Sequence, residues 1–125
     1  MNETKTILIV DDEPDILKVT EFRVRKAGYR TVTAVNGQLA LEAARKERPD
    51  LILLDYKMPG MTGMEVYAEL RDDSLLGGIP VIFLTASSQN DELMKRMQEV
   101  GAVHKIIKPY EPGDLLGKIK ELIGE

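Results

Sequence analysis

The sequence predicts an α/β fold in which a parallel β-sheet carries helices on both faces. Short apolar, β-branched segments alternate along the 125 residues with longer segments of helical spacing. A strand–helix alternation of this kind is typical of a parallel sheet. Three of the apolar segments, ILIV, LILL and VIFL, lack polar alternation. Such segments are expected where both faces of a strand are buried beneath helices.

Five strands and five helices account for the whole chain. The predicted strands are Thr6–Val10, Thr31–Val35, Leu51–Leu54, Val81–Leu84 and Val103–Ile107. Residues that favour the start of a helix stand just before, or at, the first position of four of the predicted helices. These are Asn36-Gly37 for the second helix, Thr62 with Glu65 for the third, Ser88 or Asn90 for the fourth and Pro112 for the fifth. The segment Met58-Pro59-Gly60-Met61 has Pro and Gly in the order of a type II turn.

Length and composition predict a single domain spanning residues 1–125. The absence of cysteine excludes disulfides and thiolate chemistry, and it fits a cytoplasmic protein. A net charge of −4 argues against a dedicated nucleic-acid binder. No apolar run approaches the ~20 residues of a membrane span, so membrane insertion is not expected.

Polar residues follow four of the five predicted strands directly. They are Asp11-Asp12, Asp55, Thr85 and Lys108. Each has an alternative role as a helix cap, a turn residue or a solvated lysine, and Asp12 in particular could cap the first helix. Ligands of open parallel sheets bind beyond the carboxyl ends of the strands. Because the fold brings the five residues to that edge, we predict a functional site there.

Three carboxylates and one ammonium sum to a charge of −2, and a divalent cation would neutralise them. Mg²⁺ is suitable because it prefers hard oxygen ligands and phosphate. An Asp carboxylate can act as a nucleophile toward phosphorus, and no general base is required for an ionised group. Phosphoryl transfer depends mainly on positioning and charge stabilisation, which Mg²⁺, Lys108 and Thr85 could supply. The only histidine, His104, is expected to be structural or surface-exposed.

Four segments, ILIVDDEPDI, PDLILLDYKMPGMTGMEV, PVIFLTAS and IIKPYEPGDL, resemble the receiver domains of response regulators in order and spacing. The resemblance covers essentially the whole chain. It implies a flavodoxin-like, doubly wound five-stranded sheet with strand order 2-1-3-4-5. It also implies that Asp55 is the phosphoacceptor and that Thr85 and Lys108 contact the phosphoryl group.

The same resemblance implies the metal ligands and the partners. Asp12, Asp55 and the backbone carbonyl of Lys57 would bind Mg²⁺ directly, whereas Asp11 would act largely through water. The phosphoryl donor would be a phosphohistidine on a sensor histidine kinase or a histidine phosphotransfer protein, and a downstream protein target would read the result. We expect no direct nucleic-acid contact, and no enzymatic activity beyond the chain's own phosphorylation and dephosphorylation. The end of the chain about one helix after Lys108 fits both a stand-alone receiver and a fragment of a longer regulator.

Three positions bear on switching and on phosphoryl lifetime. Lys105 occupies a place where many receivers carry Tyr or Phe. It could protect a sheet edge from pairing, or it could mean that the usual coupling between threonine and aromatic ring is absent. Lys57 and Ser87 occupy positions that flank the phosphoryl group in this family, so both are expected to tune its lifetime.

The sequence argues against three other protein classes. A phosphatase of the haloacid-dehalogenase type needs a second Asp two residues after the nucleophile, whereas Asp55 is followed by Tyr56 and Lys57. A flavodoxin-like electron carrier needs a phosphate-binding loop after the first strand, where this chain is acidic. A kinase is excluded because neither a P-loop nor a kinase Gly-rich loop is present.

Overall fold

All five strands of the structure, a computed structural model, belong to one parallel sheet in the order β2-β1-β3-β4-β5. Residues 4–85, 95, 99, 104–108 and 110–124 are described. The strands are β1 Thr6–Val10, β2 Arg30–Ala34, β3 Leu51–Asp55, β4 Val81–Thr85 and β5 Lys105–Ile107. The predicted fold class and strand order are therefore confirmed. That residues 1–125 form a single domain stays a prediction.

The described helices are α1 Pro14–Lys26, α2 Gly37–Glu47, α3 Gly63–Asp72 and α4 Pro112–Ile123. The fourth predicted helix, with its possible starts Ser88 and Asn90, lies outside the described residues except for two helical positions, Lys95 and Glu99. The helix that was predicted as the fifth is α4. Within the described ranges, no helix has the length and apolar character needed to cross a bilayer.

Local sequence signals explain where three of the helices begin. The Asn36 side chain accepts a hydrogen bond from the Leu39 amide and caps α2. Thr62 and Glu65 form the predicted reciprocal capping box of α3. A proline lies in the first turn of α4, where its missing N–H is not needed. The predictions made for these three starts are confirmed.

Two apolar clusters hold the helices against the two faces of the sheet. Alternate residues of one strand serve opposite clusters, so Leu8 and Val10 pack with α2 and α3, whereas Ile7 and Ile9 pack with α1 and α4. Every residue of β3 and β4 is buried. Burial on both faces explains why these strands lack polar alternation. The layers leave the carboxyl ends of the strands as the place where polar groups gather.

Candidate functional site

Strand register aligns the predicted site residues at one edge of the sheet. Val10 in β1 pairs with Leu54 in β3, so the next residues along these strands, Asp11 and Asp55, are neighbours. Asp55 pairs in turn with Leu84, the residue before Thr85. Thr85 is the last residue of β4, and its carbonyl oxygen accepts a hydrogen bond of 2.7 Å from the Lys108 amide just beyond β5. Parallel pairing therefore brings four strand ends together.

The three aspartates form a compact acidic cluster. Asp11, Asp12 and Asp55 each offer a carboxylate oxygen within 4.8 Å of the others. Asp11 and Asp55 are buried, with 2% and 6% of their surface exposed, and Asp12 is partly buried. Carboxylates held this close in a buried setting repel one another unless a cation lies among them.

Lys108 supplies one positive charge to the cluster. Its Nζ atom lies 3.2 Å from Asp55 Oδ1, to which it donates a hydrogen bond, and 3.6 Å from Asp11 Oδ2. Burial alone would lower the pKa of this ammonium, but the attraction of Asp55 and Asp11 outweighs it and the pKa is raised. Lys108 is therefore a permanent cation at physiological pH.

Asp55 titrates far above an ordinary aspartate. Burial raises its pKa from 3.8 to about 6, against the lowering effect of Lys108, and repulsion from Asp11 and Asp12 adds to the rise. The carboxylate is consequently ionised at pH 7 but is destabilised by its surroundings. A further cation bound beside Asp55 would stabilise its ionised form.

Asp11, and not Asp12, meets the start of α1. Asp11 Oδ1 accepts a hydrogen bond of 2.9 Å from the Glu13 amide, and Glu13 is the N-cap residue. The alternative in which Asp12 caps the first helix is wrong, because the N-cap residue is Glu13 and the start of α1 has no side-chain cap hydrogen bond. The other Asp11 oxygen, Oδ2, is buried and accepts no hydrogen bond from any described residue. The Lys108 ammonium lies 3.6 Å from this oxygen, beyond hydrogen-bond distance. A buried carboxylate oxygen that lacks a hydrogen bond, among three acids, fits a hard divalent cation such as Mg²⁺.

The remaining predicted residues differ in how closely they approach the cluster. Thr85 is buried at the same edge. Lys57 follows β3 and has an exposed side chain, and the role of its carbonyl as a metal ligand stays a prediction. Ser87 lies outside the described residues. His104 precedes β5, where its carbonyl accepts from the Phe83 amide, and its side chain lines a cavity that contains none of the acidic residues.

Lys105 opens β5, which is an edge of the described sheet, and its side chain is half-buried. This position agrees with a role for Lys105 in protecting the sheet edge from pairing. The alternative, loss of the coupling between threonine and an aromatic ring, stays a hypothesis.

Gly63 is a site-supporting residue that the sequence analysis missed. Its amide donates a hydrogen bond of 2.8 Å to the Tyr56 carbonyl. A Cβ at this position would lie only 2.6 Å from the backbone oxygen of Asp55, so a side chain cannot fit. The one available signal was a glycine directly after the Thr62 N-cap. Gly60, in contrast, has a φ of 81°, as the predicted type II turn requires.

Comparison with known proteins identifies the family. The model of the response regulator receiver domain matches residues 7–120. The phosphate regulon transcriptional regulatory protein PhoB of Pseudomonas aeruginosa is 40% identical over 119 residues, which cover 95% of this chain. The same match covers 52% of PhoB, so this chain spans about half the length of that relative. Because PhoB is a transcriptional regulatory protein, the expectation of no nucleic-acid contact has no support from this relative.

Solved structures agree with the family match. Chemotaxis protein CheY4 of Vibrio cholerae superposes with a TM-score of 0.90 at 32% identity, covering 96% of this chain and 99% of CheY4. The receiver domain of sensor histidine kinase PA1611 from Pseudomonas aeruginosa superposes with a TM-score of 0.87 at 29% identity, covering 98% of this chain and 100% of that domain. That domain holds a magnesium ion in its active site cleft. This chain belongs to the response regulator receiver family of two-component signalling systems.

Proposed function

We propose that Asp55 accepts a phosphoryl group from a phosphohistidine, at a site completed by Mg²⁺. The proposal assigns Asp12, Asp55 and the Lys57 carbonyl as direct metal ligands, and Asp11 as a ligand that acts largely through water. Thr85 and Lys108 would contact the phosphoryl oxygens. The observation that carries it is the convergence of three carboxylates with the Lys108 ammonium, 3.2 Å from Asp55 Oδ1.

Transfer requires few chemical steps from the protein. An ionised Asp55 oxygen forms a bond to phosphorus while the bond between phosphorus and the donor imidazole nitrogen breaks, and the nitrogen keeps the electron pair. No proton has to leave Asp55, because a pKa of about 6 leaves it ionised at neutral pH. A bound Mg²⁺ would neutralise the remaining charge of −2 and stabilise negative charge on the phosphoryl oxygens.

Lys108 and Thr85 act on the same developing charge. The Lys108 ammonium is already directed at Asp55, so it can follow a phosphoryl oxygen once Asp55 is modified. The Thr85 hydroxyl belongs to the strand beside Asp55 and offers a neutral donor. Fixed donors of this kind stabilise charge without reorganisation during the reaction.

The partners follow from the chemistry and from the family. A histidine kinase or a histidine phosphotransfer protein would bring the donor, and a downstream target would read the modification. We expect such a target to contact the face formed by the fourth predicted helix, β5 and α4. A cytoplasmic location, which fits the lack of cysteine, stays a prediction.

Intact mass after incubation with acetyl phosphate tests the proposal. We expect the wild-type chain to gain one phosphoryl group only when Mg²⁺ is present. Asp55→Asn should gain none, whereas Asp72→Asn, which alters an exposed acid at the end of α3, should behave as wild type. A phosphoryl gain that persists in Asp55→Asn would place the acceptor elsewhere and refute the assignment.

A further inference from the structure

Thr20 is a polar residue in an apolar position. It lies on the buried face of α1 between Leu17 and Val24 and is only 3% exposed. Buried hydroxyls need a hydrogen-bond partner, since an unsatisfied one destabilises the fold. The partner of Thr20 Oγ1 is the hydroxyl of Tyr110, 3.3 Å away and 90 residues along the chain. The bond therefore joins α1 to the segment between β5 and α4.

The Tyr110 hydroxyl is not needed for packing. The aromatic ring lies against the apolar cluster that α1 and α4 share with the sheet, and a phenylalanine ring would fill that place equally well. What the hydroxyl adds is a fixed contact to α1. Since both hydroxyls can donate or accept, the contact depends on geometry and not on charge.

Tyr110 is two residues from Lys108, whose ammonium reaches the acidic cluster. The Lys108 backbone is held on one side, where its amide donates to Thr85. On the other side the nearest described anchor is Tyr110. Thr20, Lys108 and Tyr110 also line one groove beside α1. A lysine side chain has a flexible four-carbon stem, so the direction of its ammonium group depends on how firmly the backbone at Lys108 is held.

We propose that Thr20 and Tyr110 are positioning residues that hold Lys108 in place over Asp55. The inference rests on the proposed function, because it assigns them a role in phosphoryl transfer to Asp55. The hydrogen bond fixes the chain after β5 against α1, and the Lys108 ammonium is thereby kept 3.2 Å from Asp55 Oδ1. Neither residue belongs to the acidic cluster.

Tyr110→Phe in the full chain tests the pairing, with acetyl phosphate as the donor and intact mass as the readout. We expect phosphorylation about threefold slower, a loss typical of one hydrogen bond, with Mg²⁺ affinity unchanged. Thr20→Val should slow it by a similar factor and Thr20→Ser should restore the rate. Tyr67→Phe removes a hydroxyl beside the cavity at the far end of β4 and is the matched control.

A double-mutant cycle with Lys108→Ala separates positioning from general loosening. If the pair acts through Lys108, Tyr110→Phe should have no further effect in the Lys108→Ala background over long incubations. An equal loss in both backgrounds, or a wild-type rate in Tyr110→Phe, would overturn the inference. A wild-type chain that gains no phosphoryl group on Asp55 would instead refute the proposed function on which it rests.

Discussion

The Asp55 carboxyl stands between two opposing effects. Burial and the neighbouring acids favour its neutral form, whereas Lys108 favours the ionised form, and the balance leaves a pKa of about 6. An ionised Asp55 is available as a nucleophile at pH 7. The cost is borne by the folded state, which holds an ionised group that would be more stable in water.

That cost predicts a pH dependence of stability. Without metal, in EDTA, the pKa of Asp55 is about 6 in the folded state, against an ordinary value of 3.8. Between these two pH values, the folded state holds the Asp55 proton more often than the unfolded state does. The protonated Asp55 carboxyl contributes to stability below this window. That contribution is lost as pH rises through the window, so the free energy of unfolding should fall. Asp55→Asn lacks this titration and should be more stable than wild type at pH 7 by roughly 2–3 kcal/mol, as a shift of about two pKa units implies. Urea unfolding at pH 4 and pH 7 measures the difference. A stability gap that is the same at both pH values would contradict the prediction.

Lys57 follows Asp55, the proposed acceptor, closely in the sequence. Its side chain is exposed, two residues after Asp55. We expect Lys57→Ala to dephosphorylate faster by about threefold, or about 0.6 kcal/mol in barrier height, because water then reaches the acyl phosphate more freely. The decay of the phosphorylated mass after donor removal measures this rate. Lys46→Ala, an exposed lysine in α2, is the control, and a decay equal to wild type in Lys57→Ala would remove Lys57 from this role.

At the scale of elements, the start of α3 is built against the end of β3. The capping box of Thr62 and Glu65 places the first residue of the helix, Gly63, in contact with the backbone of Asp55 and Tyr56. The helix therefore helps to set the position of Asp55, the proposed acceptor. The turn before it, with a positive φ at Gly60, returns the chain from the sheet edge to the helix.

Gly63→Ala tests this contact. A methyl group would meet the Asp55 carbonyl oxygen at 2.6 Å and the Tyr56 Cα atom at 2.9 Å, so the strand end or the helix must shift. We expect a loss of about 1–3 kcal/mol in the free energy of unfolding, together with slower phosphorylation by acetyl phosphate.

Gly117→Ala provides a comparison of opposite sign. Gly117 lies inside α4, and nothing stands within 4 Å of the Cβ position. Alanine there should raise stability by about 0.5–1 kcal/mol and leave phosphorylation unchanged. If Gly63→Ala were neutral or stabilising, like Gly117→Ala, the close approach of Gly63 to the backbone of Asp55 would not affect the free energy of unfolding, and the prediction would be wrong.

Across the whole molecule, the sequence predicted those features that depend on regular patterns. Unbroken apolar runs indicated a parallel sheet, and parallel strands bring Asp11, Asp55 and Lys108 to one edge whatever the details. The ends of the strands were predicted less exactly. Val35 was assigned to the second strand because it is β-branched and apolar, yet it lies beyond β2 and is 41% exposed.

Features that depend on contacts between distant segments could not be predicted from the sequence. The Asp11 carboxylate accepts a hydrogen bond from the Glu13 amide, and α1 begins after Glu13, so Asp12 does not cap it. The clash that excludes a side chain at Gly63 arises only when α3 docks on β3. The Thr20–Tyr110 hydrogen bond joins segments 90 residues apart, and no local pattern marks it.

If the acidic cluster binds Mg²⁺ as proposed, metal binding and the stability of the entire fold should be linked. A ligand that binds only the folded state adds about 1.4 kcal/mol to the free energy of unfolding for each tenfold increase above its dissociation constant. We therefore expect wild-type stability to rise with the logarithm of Mg²⁺ concentration, at constant ionic strength. Asp12→Asn should abolish most of this slope and should also be more stable than wild type in EDTA, because one repelling charge is removed from beside Asp55.

The two effects of Asp12→Asn have opposite signs, and this distinguishes a metal site from a structural contact. If Asp12 served only to hold the fold together, its substitution would lower stability with and without Mg²⁺, and the two curves would run parallel. If it binds the cation, the curves cross: the variant is more stable in EDTA, and the wild type is more stable at high Mg²⁺. Asp72→Asn, an exposed acid outside the cluster, should follow the wild-type curve throughout. Repulsion among Asp11, Asp12 and Asp55 is thus the physical reason why the stability of this fold would depend on the proposed cation.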